Sequence, residues 1–203
     1  GIDEGDKIRT IFDATITQVN EWIRKNMNKK CSAPGLHDLL WARLRALETA
    51  RQPKKLTLFK ADARKAHRRI KVLRKDWKFM VAEIKDRMWV NKCGTYGVAS
   101  AQWYWGRMAA LLIRLCYQLH EAFLWILVFV DDFMLLLDET GSEDMVFLFL
   151  MFLMIVGCPI SWQKNYLSPN NIWLGYAVDI TSGIPSLPSE KLLVVIPTLE
   201  HYV

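Results

Sequence analysis

Phe123-Leu-Trp-Ile-Leu-Val-Phe-Val-Asp131-Asp132-Phe-Met-Leu-Leu-Leu137 is the stretch that decides the fold, because two adjacent acids interrupt an otherwise unbroken apolar run. An ionised carboxylate pushed toward an apolar interior costs several kcal/mol unless it is compensated, and two neighbours also repel each other. The β-prone runs on either side, Leu124 to Val130 and Phe133 to Leu137, predict a hairpin with the acids at its turn. A turn that merely exposes both acids to water is the plain reading. A bound divalent cation, which removes both penalties at once, is the chemical one.

Hard oxygen ligands suit Mg²⁺, which keeps waters and substrate phosphates in the rest of its octahedron. One pair of acids is not a complete two-metal site, so a third carboxylate is wanted from another strand. Asp62 is the acid best placed by sequence. It ends the run Leu56-Thr-Leu-Phe-Lys-Ala61, within a strand predicted over 54–61, and stands in the most basic part of the chain. Nearly half of the chain's 27 Lys and Arg fall between Arg51 and Lys78, opposed only by Asp62 and Asp76. A solvated face is the usual explanation of such a run. Cations surrounding a candidate catalytic acid, in a chain of formal net charge +6, point instead to nucleic acid or triphosphate.

Working outward, Leu36, Leu40, Leu44 and Leu47 recur at helical spacing and predict an amphipathic helix over 36–50 that ends before Pro53. The polar stretch from Asn20 to Trp22 leans helical. Trp77 to Lys92 predicts a two-stranded hairpin around Lys85-Asp86-Arg87. After Ser100, a candidate N-cap, Ala101, Trp105, Met108, Leu112, Leu115 and Leu119 lie on one stripe of a helix of about 20 residues. That spacing makes Trp105 core, whereas Trp103 and Tyr104 could stack on bases. Glu139 to Asp144 reads as a polar loop, followed by a helix from Met145 to Val156 stopped by Gly157 and Pro159. Ile172 to Val178 reads as one more strand, and Ser189 as the cap of a last helix cut short by Pro197. The order is mixed α+β, with one long helix between strand pairs.

At 203 residues and 52% hydrophobic composition the chain fits one domain or two closely joined subdomains, and disorder is excluded. Cys31, Cys93, Cys116 and Cys158 form no zinc-ligand pattern and read as reduced thiols, so an intracellular, reducing compartment is expected. The chain opens at Gly1 on a polar, charged stretch with no signal-peptide pattern, and the missing initiator Met leads to the expectation of a processed product or a fragment. Met145 to Ile160 carries no charge, but it is shorter than the ~20 residues of a membrane span. A buried core helix is therefore expected there. His37, His120 and His201 have no partner pattern.

Six motifs follow one another along nearly the whole chain. They are Lys7-Ile-Arg9-Thr-Ile-Phe-Asp13 with Asn20 after it, Lys60-Ala-Asp62-Ala-Arg64-Lys65-Ala-His67-Arg68-Arg-Ile70 and Thr95-Tyr-Gly97-Val-Ala-Ser100-Ala-Gln102-Trp-Tyr-Trp-Gly-Arg107-Met108. Then come Phe129-Val-Asp131-Asp132, Gly157-Cys-Pro-Ile-Ser-Trp-Gln-Lys164 and Ile172-Trp173-Leu-Gly175-Tyr176. In this order they resemble the reverse transcriptases of retroelements, in appearance those of protists and fungi, including tyrosine-recombinase types. An isolated Asp-Asp is a weak signal; six motifs in order are specific.

The resemblance implies a right-hand polymerase of fingers and palm, an antiparallel palm sheet backed by helices, and no thumb. Residues 1–53 would begin the fingers, 54–76 supply the first palm strand and catalytic motif, and 77–95 form a fingers hairpin. Residues 96–185 would complete the palm, and 186–203 start the connection to a missing thumb. It makes Asp62, Asp131 and Asp132 the ligands of two Mg²⁺ ions and Lys164 the group that protonates departing pyrophosphate; alone, Lys164 reads as a surface lysine. Arg9 would contact the incoming triphosphate and His67 lie beneath its sugar, with Gly97 and Gln102 under the nucleotide. Arg64, Lys65, Arg68, Trp173 and Gly175 would meet nucleic acid. The chain departs from the usual pattern at His67, where Tyr or Phe is common, at Gln102, where Pro is, and at Phe129, where Tyr is.

The implied activity is RNA-directed DNA polymerisation onto a primer 3′-hydroxyl, with a primed RNA or DNA template and deoxynucleoside triphosphates as partners. The alternative is a domesticated or truncated relic that keeps the fold as a structural or binding subunit of a larger assembly.

Overall fold

The structure is a computed structural model that describes residues 2, 3, 8, 9, 14–27, 32–50 and 55–193. The expectations for Lys7, the Arg9 side chain, Asp13, Cys31, Pro53, Pro197 and His201 lie outside the described residues. In chain order the elements begin with β1 (Ile2–Asp3), β2 (Ile8–Arg9), α1 (Val19–Asn26), α2 (Leu36–Glu48) and β3 (Leu56–Asp62). Next come β4 (Val81–Ile84), β5 (Arg87–Val90), α3 (Ala101–Leu119), β6 (Trp125–Phe129), β7 (Asp132–Asp138) and α4 (Ser142–Ile155). The short strands β8 (Tyr166–Ser168), β9 (Asn170–Trp173), β10 (Tyr176–Asp179) and β11 (Ile184–Ser186) follow. The chain divides into two compact units, Gly1–Ala33 with Lys65–Leu112, and Pro34–Arg64 with Ile113–Val203.

The second unit is built on a four-stranded antiparallel sheet of order β6-β7-β3-β8. Both faces of its middle strands are covered, which is why Phe133 to Leu137 are buried without alternation. On one face Leu56, Leu58, Met134 and Leu136 share a core with Leu39, Ala42 and Ala46 of α2 and with Trp173, Val178 and Ile180. On the other, Phe149 of α4 meets Phe59 and Phe133 edge-on, with ring centroids 6.4 and 5.6 Å away. α4 begins at Ser142, so Glu143 and Asp144, expected in a loop, form its first turn, where acids favour the helix dipole. Its 14 residues reach about 21 Å, short of the ~30 Å hydrocarbon core. Among the described residues no helix is long and apolar enough to cross a membrane.

β9, β10 and β11 form a separate antiparallel sheet. Ile172 to Val178 is therefore not one strand: Leu174 and Gly175, with φ of 51° and 80°, turn the chain back between β9 and β10. Glycine inside an apparent strand marked that turn.

In the first unit β4 and β5 pair around Lys85 and Asp86, whose φ of 51° and 56° give the twist a two-residue hairpin needs. Trp77, expected in the first strand, instead belongs to a 3-10 turn, Arg74–Phe79. In α3, which belongs to this unit up to Leu112 and to the second from Ile113, the buried residues are Ala101, Trp105, Ala109, Leu112 and Cys116, while Met108, Leu115 and Leu119 are exposed. Small residues take two core positions there, and apolar size alone misplaced the stripe by one.

Candidate active site

The register of β3 against β7 sets Asp62, the last residue of one strand, opposite Asp132, the first of the other. Directly paired residues on an antiparallel sheet hold their Cβ atoms about 5 Å apart. Asp131 sits in the turn before β7, and its carbonyl accepts the Ala63 N–H at 2.7 Å, so the hairpin tip is tied to the end of β3. The two turn residues are Val130 and Asp131, rather than the two acids, and Asp132 already belongs to the strand. Val130 has φ 55°, a costly conformation for a β-branched side chain.

Asp62 is 5% exposed and has two partners. The Ser161 hydroxyl donates to Oδ1 at 2.6 Å, and the Lys164 ammonium to Oδ2 at 2.5 Å. Ser161 is placed by its own N–H, which donates to the Asp62 carbonyl at 2.9 Å; the same segment bridges Ile160 to Ala63. Lys60, two residues before Asp62 and so on the same face of β3, lies 3.7 Å from Asp132 Oδ2 and donates to the Ile172 carbonyl at 3.2 Å. The site thus alternates three acids with two ammonium groups.

Burial is the main cause that raises the Asp132 carboxyl above the ordinary range; the Asp131 and Asp62 charges add to it, against Lys60 and Lys164. Lys164 is raised chiefly by its hydrogen bond to Asp62, with the three acid charges adding and burial opposing. A raised carboxyl contributes stability that is present below the unfolded pKa, about 3.9, and is lost as pH rises through the folded value. At neutral pH the ionised Asp132 therefore works against the fold. Asp132→Asn is expected to raise Tm at neutral pH. The gain should vanish below about pH 4, where wild type is protonated too. Melting curves at both pH values check this.

Carboxylate oxygens are the donors that Mg²⁺ takes, and ammonium groups already rest on Asp62 and Asp132 where positive charge is favoured. Among the described residues no three acid, histidine or cysteine groups stand ready-made as a metal-holding set. Each Asp62 oxygen accepts one hydrogen bond, from Ser161 and from Lys164, so a cation held there would compete with the Lys164 ammonium.

In the first unit a cleft of about 330 Å³ is lined by Asn20, Arg24, His67, Tyr96, Gly97 and Gln102 among others. Asn20 fixes its wall: the side-chain amide donates to the Gly97 carbonyl at 2.7 Å, and its oxygen accepts the Ala99 N–H at 2.8 Å. Gly97 has φ 90°, and a Cβ on Gly94 would collide with the His67 carbonyl. The His67 ring meets Tyr96 edge-on at 5.4 Å. Arg64, Lys65 and Arg68 are exposed.

Trp173 is 0% exposed and packs in the core beside α2, which corrects its expected role at a nucleic-acid surface. Gly175 forms the turn beyond it, where an added Cβ would meet the Lys191 ammonium. Lys60, Ser161 and the clamping role of Asn20 were missed from sequence. The period-2 spacing of Lys60 and Asp62 was a usable signal; Ser161 had none.

Neither a family model nor a curated protein matches the chain. Solved structures do, and the fold they define is that of the reverse-transcriptase-like polymerases. The chain is similar to the foamy viral protease-reverse transcriptase in complex with double-stranded DNA, with a TM-score of 0.65 and 18% identity over 94% of this chain and 30% of that one. The same viral protein in complex with an RNA/DNA hybrid gives 0.55 and 18% over 66% and 17%. Telomerase from Candida albicans, in complex with a fragment of telomeric RNA, gives 0.59 and 14% over 84% and 37%. The chain spans well under half the length of each of these proteins, and at such identities the likeness carries the fold alone.

Proposed function

We propose that the chain is the fingers-and-palm core of a retroelement-type RNA-directed DNA polymerase, which adds deoxynucleotides to a primer 3′-hydroxyl on an RNA or DNA template. The observation that carries this is the β3–β7 register, which pairs Asp62 with Asp132 beside Asp131 on a reverse-transcriptase-like fold. Asp62, Asp131 and Asp132 would hold two Mg²⁺ ions. When bound, these supply activation of the attacking oxygen and neutralisation of charge on the leaving one.

The chain's own residues do the rest by positioning and charge. Ser161 orients Asp62. Lys164, whose proton is held more firmly by the neighbouring acids, is kept in the form a donor to departing pyrophosphate requires. Lys60 offsets charge at Asp132. Arg64, Lys65 and Arg68 offer exposed cations to a nucleic-acid backbone, and the cleft lined by His67, Gly97 and Gln102 is of a size for a nucleoside. Arg9 is assigned to the triphosphate by resemblance only.

The engagement of both Asp62 oxygens favours a second reading, a relic that serves as a structural or binding subunit. Primer extension by the purified protein, with deoxynucleotides in Mg²⁺ and in EDTA, separates the two. Lengthened primer in Mg²⁺ only is the expected result. Folded protein that neither extends primer nor shifts its melting temperature with Mg²⁺ would establish the relic.

A further inference from the structure

In the β4–β5 hairpin all of β5 and the tip-side half of β4 are exposed, while Val81 and Ala82 are half-buried. Ile84 is 49% exposed, Met88 68%, Trp89 56% and Val90 43%. An isolated two-stranded ribbon with large apolar side chains in water is marginal, and an exposed patch of this kind marks an interaction site.

The two faces of the ribbon differ. Pairing places Ala82 opposite Trp89 and Ile84 opposite Arg87, so that face presents an indole beside a guanidinium, with no acid. The small Ala82 leaves the ring uncovered from across the ladder. The reverse face pairs Val81 with Val90 and Glu83 with Met88, and carries an acid.

Charge selects the occupant of the first face. Residues 65–92 hold ten Lys and Arg against three Asp and Glu. At the tip of the ribbon Lys85 stands beside Asp86, whose charge offsets it. At its base Lys92 lies over the Trp77 ring at 4.9 Å, and Lys78 over Phe79 at 5.0 Å. Cations interleaved with aromatic rings bind a polyanion that carries flat, stackable groups.

We propose that the Trp89/Arg87 face of this hairpin docks single-stranded nucleic acid, with Trp89 stacking on an unpaired base and Arg87 on the adjoining phosphate. The inference deepens the polymerase reading and rests on it. A single strand is required because a base in a duplex already has both faces stacked, whereas an unpaired base offers one to the indole.

The test is fluorescence anisotropy of a labelled oligouridine with the purified chain, in EDTA and without nucleotide, so that catalysis plays no part. Trp89→Ala is expected to weaken binding about tenfold, and Trp89→Phe to retain most of it. Arg87→Gln is expected to reduce the slope of log Kd against log salt by about 0.7, the value of one phosphate contact on a single strand. Met88→Ala, on the acid-bearing face, should change neither, and duplex binding should be insensitive to Trp89. If Trp89→Ala does not fold, the Phe and Gln variants and Met88→Ala still decide the matter.

Equal affinities for wild type, Trp89→Ala and Met88→Ala would overturn the hairpin assignment while leaving the polymerase reading standing. A Trp89 substitution that changes oligomeric state but not affinity would assign the face to a protein partner and overturn it equally. Wild-type protein that binds no oligouridine at all would remove the nucleic-acid partner and both readings with it.

Discussion

Asp62→Asn is expected to lower the single-turnover rate of primer extension on the order of a thousandfold or more, with the protein still folded. The loss follows from removing one of three charges that would share the ions, an effect of several kcal/mol on the transition state. Retention of the fold follows from the partners of Asp62. The asparagine oxygen can still accept from the Ser161 hydroxyl, which lies 2.6 Å from Oδ1. The Lys164 side chain is 61% exposed and can turn its charge to water. Asp62 is the buried partner of the pair, and a neutral amide in its place leaves no unpaired charge inside, so Tm should change by only a few degrees. Extension at the wild-type rate would remove Asp62 from the catalytic set.

Phe149→Ala is expected to cost about 3–5 kcal/mol, from a total that is about 5–15 for a domain. Phe149 is completely buried and is the α4 ring that meets both Phe59 and Phe133, so its loss leaves a cavity between helix and sheet. In a chain of this size Tm should fall by roughly 10 °C. Phe147, on the same helix but 67% exposed, is the control, with an expected change within about 0.5 kcal/mol. Urea melts of both variants check the contrast, and similar midpoints would mean that α4 does not pack as described. Because Phe133 adjoins Asp132, extension by Phe149→Ala should also decline at temperatures well below its new Tm.

Much of this fold was legible in sequence because local physics and tertiary packing agree. The Lys85-Asp86 turn is a local signal that the structure follows in the β4–β5 hairpin, and the Leu36 to Leu47 spacing foretells the helix α2 but not its buried face, which is Leu39, Ala42 and Ala46 while Leu44 and Leu47 are exposed. The two acids between apolar runs announced a hairpin tip. Their pairing with Asp62 is non-local, however, and register across a sheet is fixed by packing that no single strand records. Trp173 shows the opposite failure. It sits where a motif expects a surface contact, but β9 alternates, and Asn171 and Trp173 share its buried side while Ile172 faces out. In α3 Ala109 and Cys116 are buried and the larger Met108 and Leu115 exposed, a choice of face that size scales do not carry.

The position of β3 in its sheet sets an order of assembly. It lies between β7 and β8, and both neighbours come after it in the chain. During synthesis Leu56-Thr-Leu-Phe emerges with two bare edges and waits for residues 132–138 and 166–168, a delay on the order of seconds at ribosomal speed. An unpaired apolar strand is a template for joining other chains. Lys60 within the strand, and Arg64 and Lys65 just past its end, keep nascent copies apart by repulsion, as gatekeeper charges do. The cations that flank the candidate site would then act on the growing chain before the site itself has formed.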